Sequence, residues 1–394
     1  MTDADRRWMR RTLSLARRGL GTTRPNPMVG AVLVRGGRVL AEGFHARAGG
    51  PHAEVNALAA LARAGGRARG ATIYVNLEPC AHVGRTAPCV NALIEAGVAR
   101  VVVGVRDPNP LVDGRGLARL RRAGIRVDVG CLADECQELN RAFFSWVERG
   151  RPLVTLKVAA TLDGFIADGR RRARAAPAWI TGSEARLEAH RLRARHDAIL
   201  VGAGTVAADD PLLTVRLPAK PSVRRGPSLP QPVRVVLDGR LRISPAAAVL
   251  TPARGKIPAR GKNAQTGAVA GPPTLVIGAT GAPASRVRAL RRAGAEVDLL
   301  AGRAGKVGVA AVLRALGRRG IQSVLVEGGA GVTGAFVASG LVDRVVVFHA
   351  PLLLGGGLAA ATGAGRPLSH ALRLGPLRVR ALGADLVIEA EVLG

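Results

Sequence analysis

The chain of 394 residues is poor in aromatic residues and cysteines. Three Trp, one Tyr and six Phe leave few side chains that could stack on nucleic-acid bases. Four cysteines do not make the disulfide framework of a small secreted protein. No run of about 18 uncharged apolar residues predicts a membrane span, and the first residues lack the apolar core of a signal peptide. We therefore expect a cytoplasmic protein without a membrane partner.

Acidic residues are also scarce, because 28 Asp and Glu accompany 58 Lys and Arg and leave a net charge of +30. Such an excess commonly indicates nucleic-acid binding. Here the basic residues are nearly all arginines spread over every segment, so we interpret the excess as a compositional habit and expect no nucleic-acid partner. A phosphorylated small molecule would still be attracted to this surface.

One histidine and two cysteines form the most informative pattern. His52 is followed by Cys80 and Cys89, each directly after a proline. These three side chains suit a catalytic zinc ion, because three protein ligands leave the fourth tetrahedral position open for water. Glu54 is placed to take a proton from that water and to pass it to a departing amino group without ligating the metal. The pattern predicts a zinc-dependent aminohydrolase that acts on a pyrimidine-like or purine-like ring.

Other interpretations of these residues remain open. A structural zinc site would need a fourth Cys or His nearby, and His82 is the only local candidate. The two cysteines could also be core thiols beside an unrelated histidine. Eight residues separate the ligand cysteines, where many deaminases have two. This longer segment includes Arg85, a cation that suits a phosphate group.

The length predicts two domains, which we place at residues 1–149 and 150–394. Both halves alternate predicted helices and strands, which indicates sheets covered by helices. In the first half we predict helices at 3–20, 53–63, 89–96, 116–122 and 133–147, and strands at 29–34, 39–44, 71–77, 101–105 and 125–129. In the second half we predict one helix that ends at 195 and two more at 285–292 and 309–316. The predicted strands of this half are at 153–158, 198–201, 233–237, 274–277, 321–326, 342–349 and 385–392. Residues 218–232 and 251–273 are rich in Pro, Gly, Ala and basic residues and are predicted to be mobile insertions.

A glycine-rich loop follows the predicted strand at 321–326. Gly329, Gly331 and Gly334 match G-x-G-x-x-G, a pattern that lets the backbone approach the phosphates of a dinucleotide. An ordinary tight turn is the alternative in a chain with 51 glycines. No acidic residue about 20 positions later is available for a ribose 2′-hydroxyl, so a 2′-phosphate is easier to accommodate.

Five short segments together resemble the bifunctional riboflavin-biosynthesis deaminase/reductase family: NPMVG at 26–30, PHAEV at 51–55, LEPC at 77–80, GRTAPC at 84–89 and DPNP at 107–110. The resemblance covers nearly the whole chain except the two insertions. It implies a cytidine-deaminase-like three-layer αβα domain with one zinc ion, followed by a dihydrofolate-reductase-like α/β domain that uses NADPH. The implied reactions are hydrolytic deamination of 2,5-diamino-6-(ribosylamino)-4(3H)-pyrimidinone 5′-phosphate and reduction of its ribosyl group to ribityl.

The resemblance also implies roles for individual residues. The implied cofactor contacts are Ala160, Trp179, Thr205, Asp209 and the loop residues Gly329, Ala330, Gly331, Val332, Thr333, Gly334 and Ala335. The implied substrate contacts, to which we add Arg85, are Asn26, His45, Lys157, Arg193, Leu213, Arg216 and Glu327. Simpler interpretations remain for several of them, namely a surface imidazole for His45, solvated arginines for Arg193 and Arg216, and a core position for Trp179.

The chain departs from the family pattern just before Trp179. A Gly-Glu-Ser run is usual there, whereas this chain has Ala175-Ala176-Pro177-Ala178, and Pro177 offers neither the serine hydroxyl nor a backbone N–H. One alternative function is therefore a deaminase with an inactive or altered reductase domain. A basic nucleic-acid-acting deaminase and a zinc-stabilised binding protein without chemistry are the others.

Overall fold

The computed structural model describes residues 1–82, 87–168, 179–218, 231–251 and 274–393. These residues divide into two units, Met1–Gly150 and Arg151–Gly394. The predicted insertions fall mostly on residues 219–230 and 252–273, which lie outside the described residues, as do Arg85 and Pro177. In the parts of the chain listed above, every helix is too short or too polar to cross a membrane.

The first unit contains a five-stranded sheet in the order β2-β1-β3-β4-β5. Strand β1 runs antiparallel to β2 and β3, whereas β3, β4 and β5 are parallel. In chain order the elements are α1 (Asp3–Ala16), β1 (Gly30–Arg35), β2 (Arg38–Phe44), α2 (Ala53–Arg63), β3 (Thr72–Leu77), α3 (Cys89–Glu95), β4 (Arg100–Val105), α4 (Arg115–Arg122), β5 (Arg126–Val129), α5 (Ala133–Leu139) and α6 (Arg141–Arg149).

Side chains of this sheet alternate between two buried layers, because successive residues of a strand point to opposite faces. Val101 and Val103 of β4 pack in the same core as residues of α2, α3 and α4. Val102, between them, packs with Met9 of α1 and Cys136 of α5. Helices therefore cover both faces of the sheet and produce three layers.

Two predicted helices differ from the structure. The opening helix ends at Ala16 and continues only as a 3₁₀ turn, Arg17–Gly19. The predicted helix at 133–147 is interrupted at Asn140, whose side-chain amide donates to the Met28 carbonyl (2.9 Å) and accepts from the Met28 N–H (2.8 Å). These two bonds fix Asn140 on a distant segment, so α6 starts in a new direction.

The second unit is built on a nine-stranded sheet in the order β11-β10-β9-β8-β14-β6-β15-β18-β17. The first seven strands in this order are parallel, and β18 runs antiparallel to both β15 and β17. In chain order the elements are β6 (Leu153–Thr161), β7 (Phe165–Ala167), α7 (Ser183–Arg195), β8 (Ala198–Gly202), α8 (Ala203–Asp209), β9 (Val233–Leu237), β10 (Thr274–Ala279), α9 (Ala284–Arg292), β11 (Glu296–Leu300), β12 (Gly302–Arg303), β13 (Lys306–Val307), α10 (Val309–Arg318), β14 (Ser323–Val326), α11 (Ala330–Ser339), β15 (Arg344–Ala350), β16 (Leu358–Ala359), β17 (Arg378–Leu382) and β18 (Asp385–Glu391).

The parallel strands place several predicted site residues at one edge of this sheet. Ala160 lies near the end of β6, Thr205 follows β8, and Glu327 follows β14. Parallel strands bring their carboxyl ends together, and ligands of α/β proteins bind at that edge. The fold therefore collects residues that are far apart in the sequence.

Candidate active sites

The three predicted metal ligands converge where two helices begin. His52 is the N-cap of α2 and Cys89 is the first residue of α3. His52 Nδ1 lies 3.1 Å from Cys89 Sγ and 3.5 Å from Cys80 Sγ, and the three donor atoms lie within 4.8 Å of one another. Zinc bonds of about 2.0–2.1 Å to nitrogen and about 2.3 Å to sulfur put tetrahedral ligands about 3.5 Å apart. The donor set and its spacing therefore fit a zinc ion.

A fourth protein ligand is not part of this group among the described residues. His82, the candidate for a closed structural site, lines the adjoining cavity but does not belong to the group. Its buried Nδ1 has no hydrogen-bond partner among the residues that the structure describes. Three ligands and one open position are the arrangement of a catalytic zinc site.

The two cysteines differ in acidity. A hydrogen bond from the Cys89 thiol lowers the pKa of Cys80 to about 4. Burial acts in the opposite direction, and a second hydrogen bond, from His52, lowers the pKa further. The same bond to Cys80 raises the pKa of the Cys89 thiol, and burial and the Glu54 carboxylate raise it further. Cys80 is thus the readier thiolate, and Cys89 loses its proton when it becomes a metal ligand.

Glu54 lies in the first turn of α2 and is only 3% exposed. Burial raises its pKa to about 7, and the nearby Cys80 thiolate contributes in the same direction. A carboxyl group with a pKa near neutrality can both accept and return a proton at physiological pH. Its environment therefore suits proton transfer.

A cavity of about 370 Å³ lies beside these residues. Its volume is in the range of small-molecule sites. His52, Glu54 and Cys80 line it together with two predicted substrate contacts, Asn26 and His45. Further lining residues are Pro25, Pro27, Val29, Gly49, Gly50, Leu77, Glu78, His82, Asp107, Asn109, Val112, Phe143 and Trp146.

His45 is a buried histidine, with 2% exposure, so its interpretation as a surface imidazole is wrong. Its Nδ1 lies 3.0 Å from the Pro51 carbonyl oxygen, and its Nε2 lies 3.1 Å from Asn26 Nδ2. Burial lowers the pKa of His45. A neutral ring that donates to Pro51 and accepts from the Asn26 amide satisfies both contacts. The two predicted contacts thus form one hydrogen-bonded pair on the cavity wall.

Two buried carboxyl groups of the cavity were not predicted as site residues. Glu78 accepts the N–H groups of Gly114 (2.9 Å) and Gly116 (3.0 Å), which belong to the start of α4. Asp107 accepts the Asn109 N–H (2.8 Å), and burial raises its pKa to about 6. Both lie in the short segments that resemble the family, but only the fold shows that they share the cavity with Glu54.

A second cluster of charged residues lies in the second unit. Glu327 accepts two hydrogen bonds from Arg193, at 2.7 Å from Nε and 2.9 Å from Nη2, and Lys157 Nζ lies 3.8 Å from its Oε2. Although burial raises the pKa of Glu327, Arg193 and Lys157 bring it down to about 2. Burial also lowers the pKa of Lys157. Three predicted substrate contacts therefore form one largely buried ionic group.

Arg216 and Leu213 lie next to this group. The Thr214 carbonyl accepts from Arg193 Nη1 (3.2 Å), and the Thr214 hydroxyl accepts from Arg216 Nη1 (3.0 Å). Leu213 is buried and has a positive φ of 51°, an uncommon conformation for a branched side chain. Arg193 is thus a largely buried ion-pair partner and not a solvated arginine.

The glycine-rich loop forms the start of α11, whose N-cap is Gly329. The Gly329 N–H donates to the Thr205 hydroxyl at 2.9 Å, which joins two predicted cofactor contacts. A Cβ at Gly331 would meet nothing within 4 Å, whereas one at Gly334 would lie 1.9 Å from the Thr362 carbonyl oxygen. Gly331 leaves the open space that a dinucleotide phosphate needs at a helix N-terminus, and Gly334 allows close packing.

The other predicted cofactor contacts lie on separate elements. Ala160 is buried near the end of β6, and Asp209 is the last residue of α8. Trp179 is exposed, so its interpretation as a core residue is wrong, and the Arg186 guanidinium lies 4.9 Å from its ring centroid. Ala330, Val332, Thr333 and Ala335 all belong to α11.

Comparisons with known proteins match both halves of the chain. Residues 2–105 match the family model for the cytidine and deoxycytidylate deaminase zinc-binding region, and residues 152–388 match the RibD C-terminal domain. Riboflavin biosynthesis protein RibD of Aquifex aeolicus is 41% identical over 386 residues, with 98% of each chain covered. The Escherichia coli protein of that name is 40% identical, with 89% of each covered.

Solved structures give the same result. RibD of Acinetobacter baumannii, form 1, superposes with a TM-score of 0.82 at 36% identity and 99% coverage of both chains. A diaminohydroxyphosphoribosylaminopyrimidine deaminase/5-amino-6-(5-phosphoribosylamino)uracil reductase from Thermotoga maritima superposes with a TM-score of 0.81 at 35% identity and 99% coverage of both chains.

Proposed function

Because this chain belongs to the RibD family of bifunctional riboflavin-biosynthesis enzymes, we propose which of its residues carry out the two reactions of that family. The predicted family, fold class, enzyme class and cofactors are confirmed. The N-terminal part is a cytidine-deaminase-like zinc-dependent deaminase, and the C-terminal part is a dihydrofolate-reductase-like reductase that uses NADPH. We keep the domain boundary between residues 149 and 150, which the division at Gly150 supports.

In the deaminase domain, His52, Cys80 and Cys89 would hold the zinc ion, which when bound supplies an activated water. Glu54 accepts a proton from the attacking water and returns it to the departing ammonia. Asn26 and His45, whose ring lies 5.2 Å from the His52 ring, orient the pyrimidine in the same cavity. The observation that carries this assignment is the convergence of the three metal donors and Glu54 on one cavity.

In the reductase domain, the start of α11 and Thr205 would hold the phosphates of NADPH, which supplies the hydride. Ala160, Trp179 and Asp209 complete the cofactor contacts. Lys157, Arg193, Arg216 and Glu327 form the binding site for the phosphoribosyl part of the substrate, to which Leu213 also belongs. Arg85 would contact the phosphate in the deaminase site. The ion pairs around Glu327 support this assignment, because they fix Arg193 and Lys157 at the site and leave an excess of positive charge for an anionic ligand.

One experiment tests both half-reactions. Purified protein is given 2,5-diamino-6-(ribosylamino)-4(3H)-pyrimidinone 5′-phosphate with and without NADPH, and the products are identified by mass. Without NADPH we expect an amino group replaced by oxygen together with free ammonia, and with NADPH we also expect the addition of a pair of hydrogens. Zinc removal should abolish the first change but leave NADPH oxidation when the deaminated compound is supplied.

The outcomes separate the alternative functions. Ammonia release without NADPH oxidation would favour a deaminase with an inactive or altered reductase, as the substitution at Pro177 suggests. A protein that binds zinc but releases no ammonia would be a binding protein without chemistry. Retention on DNA or RNA at physiological salt would favour a nucleic-acid-acting deaminase.

We also propose that the chain forms a homo-oligomer through residues 351–379, here called the apolar segment. Leu353 and Leu368 are 74% and 93% exposed, and Leu352, Leu377 and Val379 are exposed too. The only charged residues in this segment are Arg366, Arg373 and Arg378. Two copies that each carry +30 repel one another least where charge is sparse. The segment also leads into β17, an edge strand that can pair with a symmetry-related copy.

Light scattering after gel filtration tests this proposal. The wild type should elute as an oligomer, and the double substitution Leu353→Arg with Leu368→Arg should produce a monomer that keeps deaminase activity. Val39→Arg, at an exposed position of β2, is the matched control and should not change the mass. A monomeric wild type, or an oligomer that resists the double substitution, would disprove the proposal.

We propose that the enzyme is cytoplasmic, because Cys131 and Cys136 are free thiols and Cys80 and Cys89 are assigned to the zinc ion.

A further inference from the structure

Arg193 is committed to Glu327 and has little capacity left for a ligand. Its Nε and Nη2 both donate to the Glu327 carboxylate, and its Nη1 donates to the Thr214 carbonyl. A guanidinium presents five N–H donors in a fixed plane, so these contacts occupy the edge that would otherwise hold a phosphate with two parallel bonds. Arg193 therefore supports the site, and another cation must make the main contact with an anion.

Arg216 is the cation with an accessible guanidinium. Its side chain is exposed, and its guanidinium contacts the cluster through the bond from Nη1 to the Thr214 hydroxyl. Its backbone is fixed separately, because the Arg216 N–H donates to His190 Nδ1 at 3.2 Å. His190 lies on α7 three residues before Arg193, so the two side chains lie on the same face of the helix. Helix α7 thus fixes both arginines. Arg193 is a residue of the helix, and Arg216 is attached to it through His190.

His190 remains uncharged within this group of cations. Burial lowers its pKa to about 4, and the Arg193 and Arg216 guanidinium groups repel a proton further, against weaker opposing effects of Glu327 and the Thr214 carbonyl. A neutral ring keeps Nδ1 available as an acceptor for the Arg216 N–H. The ring therefore holds the Arg216 backbone without adding charge to the site.

The charges of the group match a phosphate monoester. Lys157, Arg193 and Arg216 carry three positive charges against the single carboxylate of Glu327, which leaves an excess of two when all are ionised. A phosphate monoester carries about −1.5 to −2 at neutral pH. Arg193 and Arg216 also repel one another, and a bound dianion would relieve that repulsion.

We propose that His190 is a positioning residue of the reductase site, which fixes the backbone of Arg216 so that its guanidinium binds the phosphate of the substrate. The inference rests on the proposed reductase function and adds a residue that sequence reasoning did not find. Arg216 contacts the phosphate, the ion pair of Arg193 and Glu327 supports the site, and His190 positions Arg216.

The test compares two compounds in NADPH oxidation, 5-amino-6-(5-phosphoribosylamino)uracil and its dephosphorylated form. His190→Ala should raise the KM of the phosphorylated compound about tenfold, since the hydrogen bond that fixes the Arg216 backbone is lost, and should leave kcat nearly unchanged. His190→Gln should behave like the wild type, because the glutamine side chain offers a neutral acceptor. Arg216→Ala should raise the same KM by at least about tenfold.

Controls separate positioning from folding. The KM of the dephosphorylated compound should be the same for the wild type, His190→Ala and Arg216→Ala. Arg288→Ala removes an exposed arginine of α9 and should change neither KM. Thermal unfolding and deaminase activity confirm that each variant is folded.

The inference is overturned if His190→Ala leaves the KM of the phosphorylated compound unchanged, raises both KM values alike, or is not rescued by His190→Gln while the wild type oxidises NADPH. A wild type that does not oxidise NADPH contradicts the proposed reductase function, and this inference with it.

Discussion

Glu54→Gln should retain zinc and slow ammonia release by about 10²–10⁴-fold. The glutamine amide preserves the size of the side chain but cannot accept a proton from the attacking water. The carboxyl group lies buried beside Cys80 and Cys89, so the substitution removes the base next to the metal ligands. The measurement is steady-state release of ammonia from the diaminopyrimidinone phosphate, with the zinc content of the same sample measured by atomic absorption.

Two variants bracket this result. Glu95→Gln changes an exposed glutamate at the end of α3 and should leave the rate unchanged. Cys89→Ala removes a ligand and should lose zinc and activity together. If Glu54→Gln turned over at the wild-type rate, Glu54 would have no part in proton transfer.

Glu327→Ala should destabilise the second unit by about 3–5 kcal/mol and abolish the reductase activity. The substitution leaves the largely buried Arg193 and Lys157 without the carboxylate that both contact. The deaminase activity should persist, because its residues all lie in the first unit. Calorimetric unfolding and NADPH oxidation measure the two effects.

The control is Glu296→Ala, which breaks an exposed ion pair with Arg319 and should cost less than about 1 kcal/mol. The contribution of Glu327 also has a defined pH range. Its pKa in the folded protein, about 2, lies below the ordinary value of 4.5, so its stabilisation is complete above pH 4.5 and is lost as the pH falls towards 2. An equal loss of stability for Glu327→Ala and Glu296→Ala would show that the ion pairs of Glu327 contribute no more than an exposed ion pair.

The zinc group was predictable from sequence because its ligands belong to local features. The helix predicted at 53–63 is α2, Ala53–Arg63, and Cys89 begins α3 as expected. The strand predicted at 233–237 also matches β9. In these elements the apolar pattern and the boundary residues give the same answer, so local information is sufficient.

Other features depend on contacts between distant segments. The pattern of apolar residues continues from 133 to 147, and no glycine or proline marks the interruption at Asn140, which follows from its bonds to Met28. His190 resembles any polar residue of a helix until Arg216 is brought to it from 26 positions away. Edge strand β17 and helix α8 were not predicted, because they are short, with five and seven residues, and α8 has no long apolar face.

The bonds of Asn140 bear on how the deaminase site recognises its ligand. The Met28 carbonyl accepts hydrogen bonds from two side-chain amides, those of Asn140 and of Asn76, the latter at 3.0 Å. Met28 lies two residues after Asn26. The segment that carries Asn26 is thereby rigid before a ligand arrives. This segment loses its conformational entropy during folding, so that loss does not weaken binding of the pyrimidine. Asn26 is already in position when the pyrimidine binds.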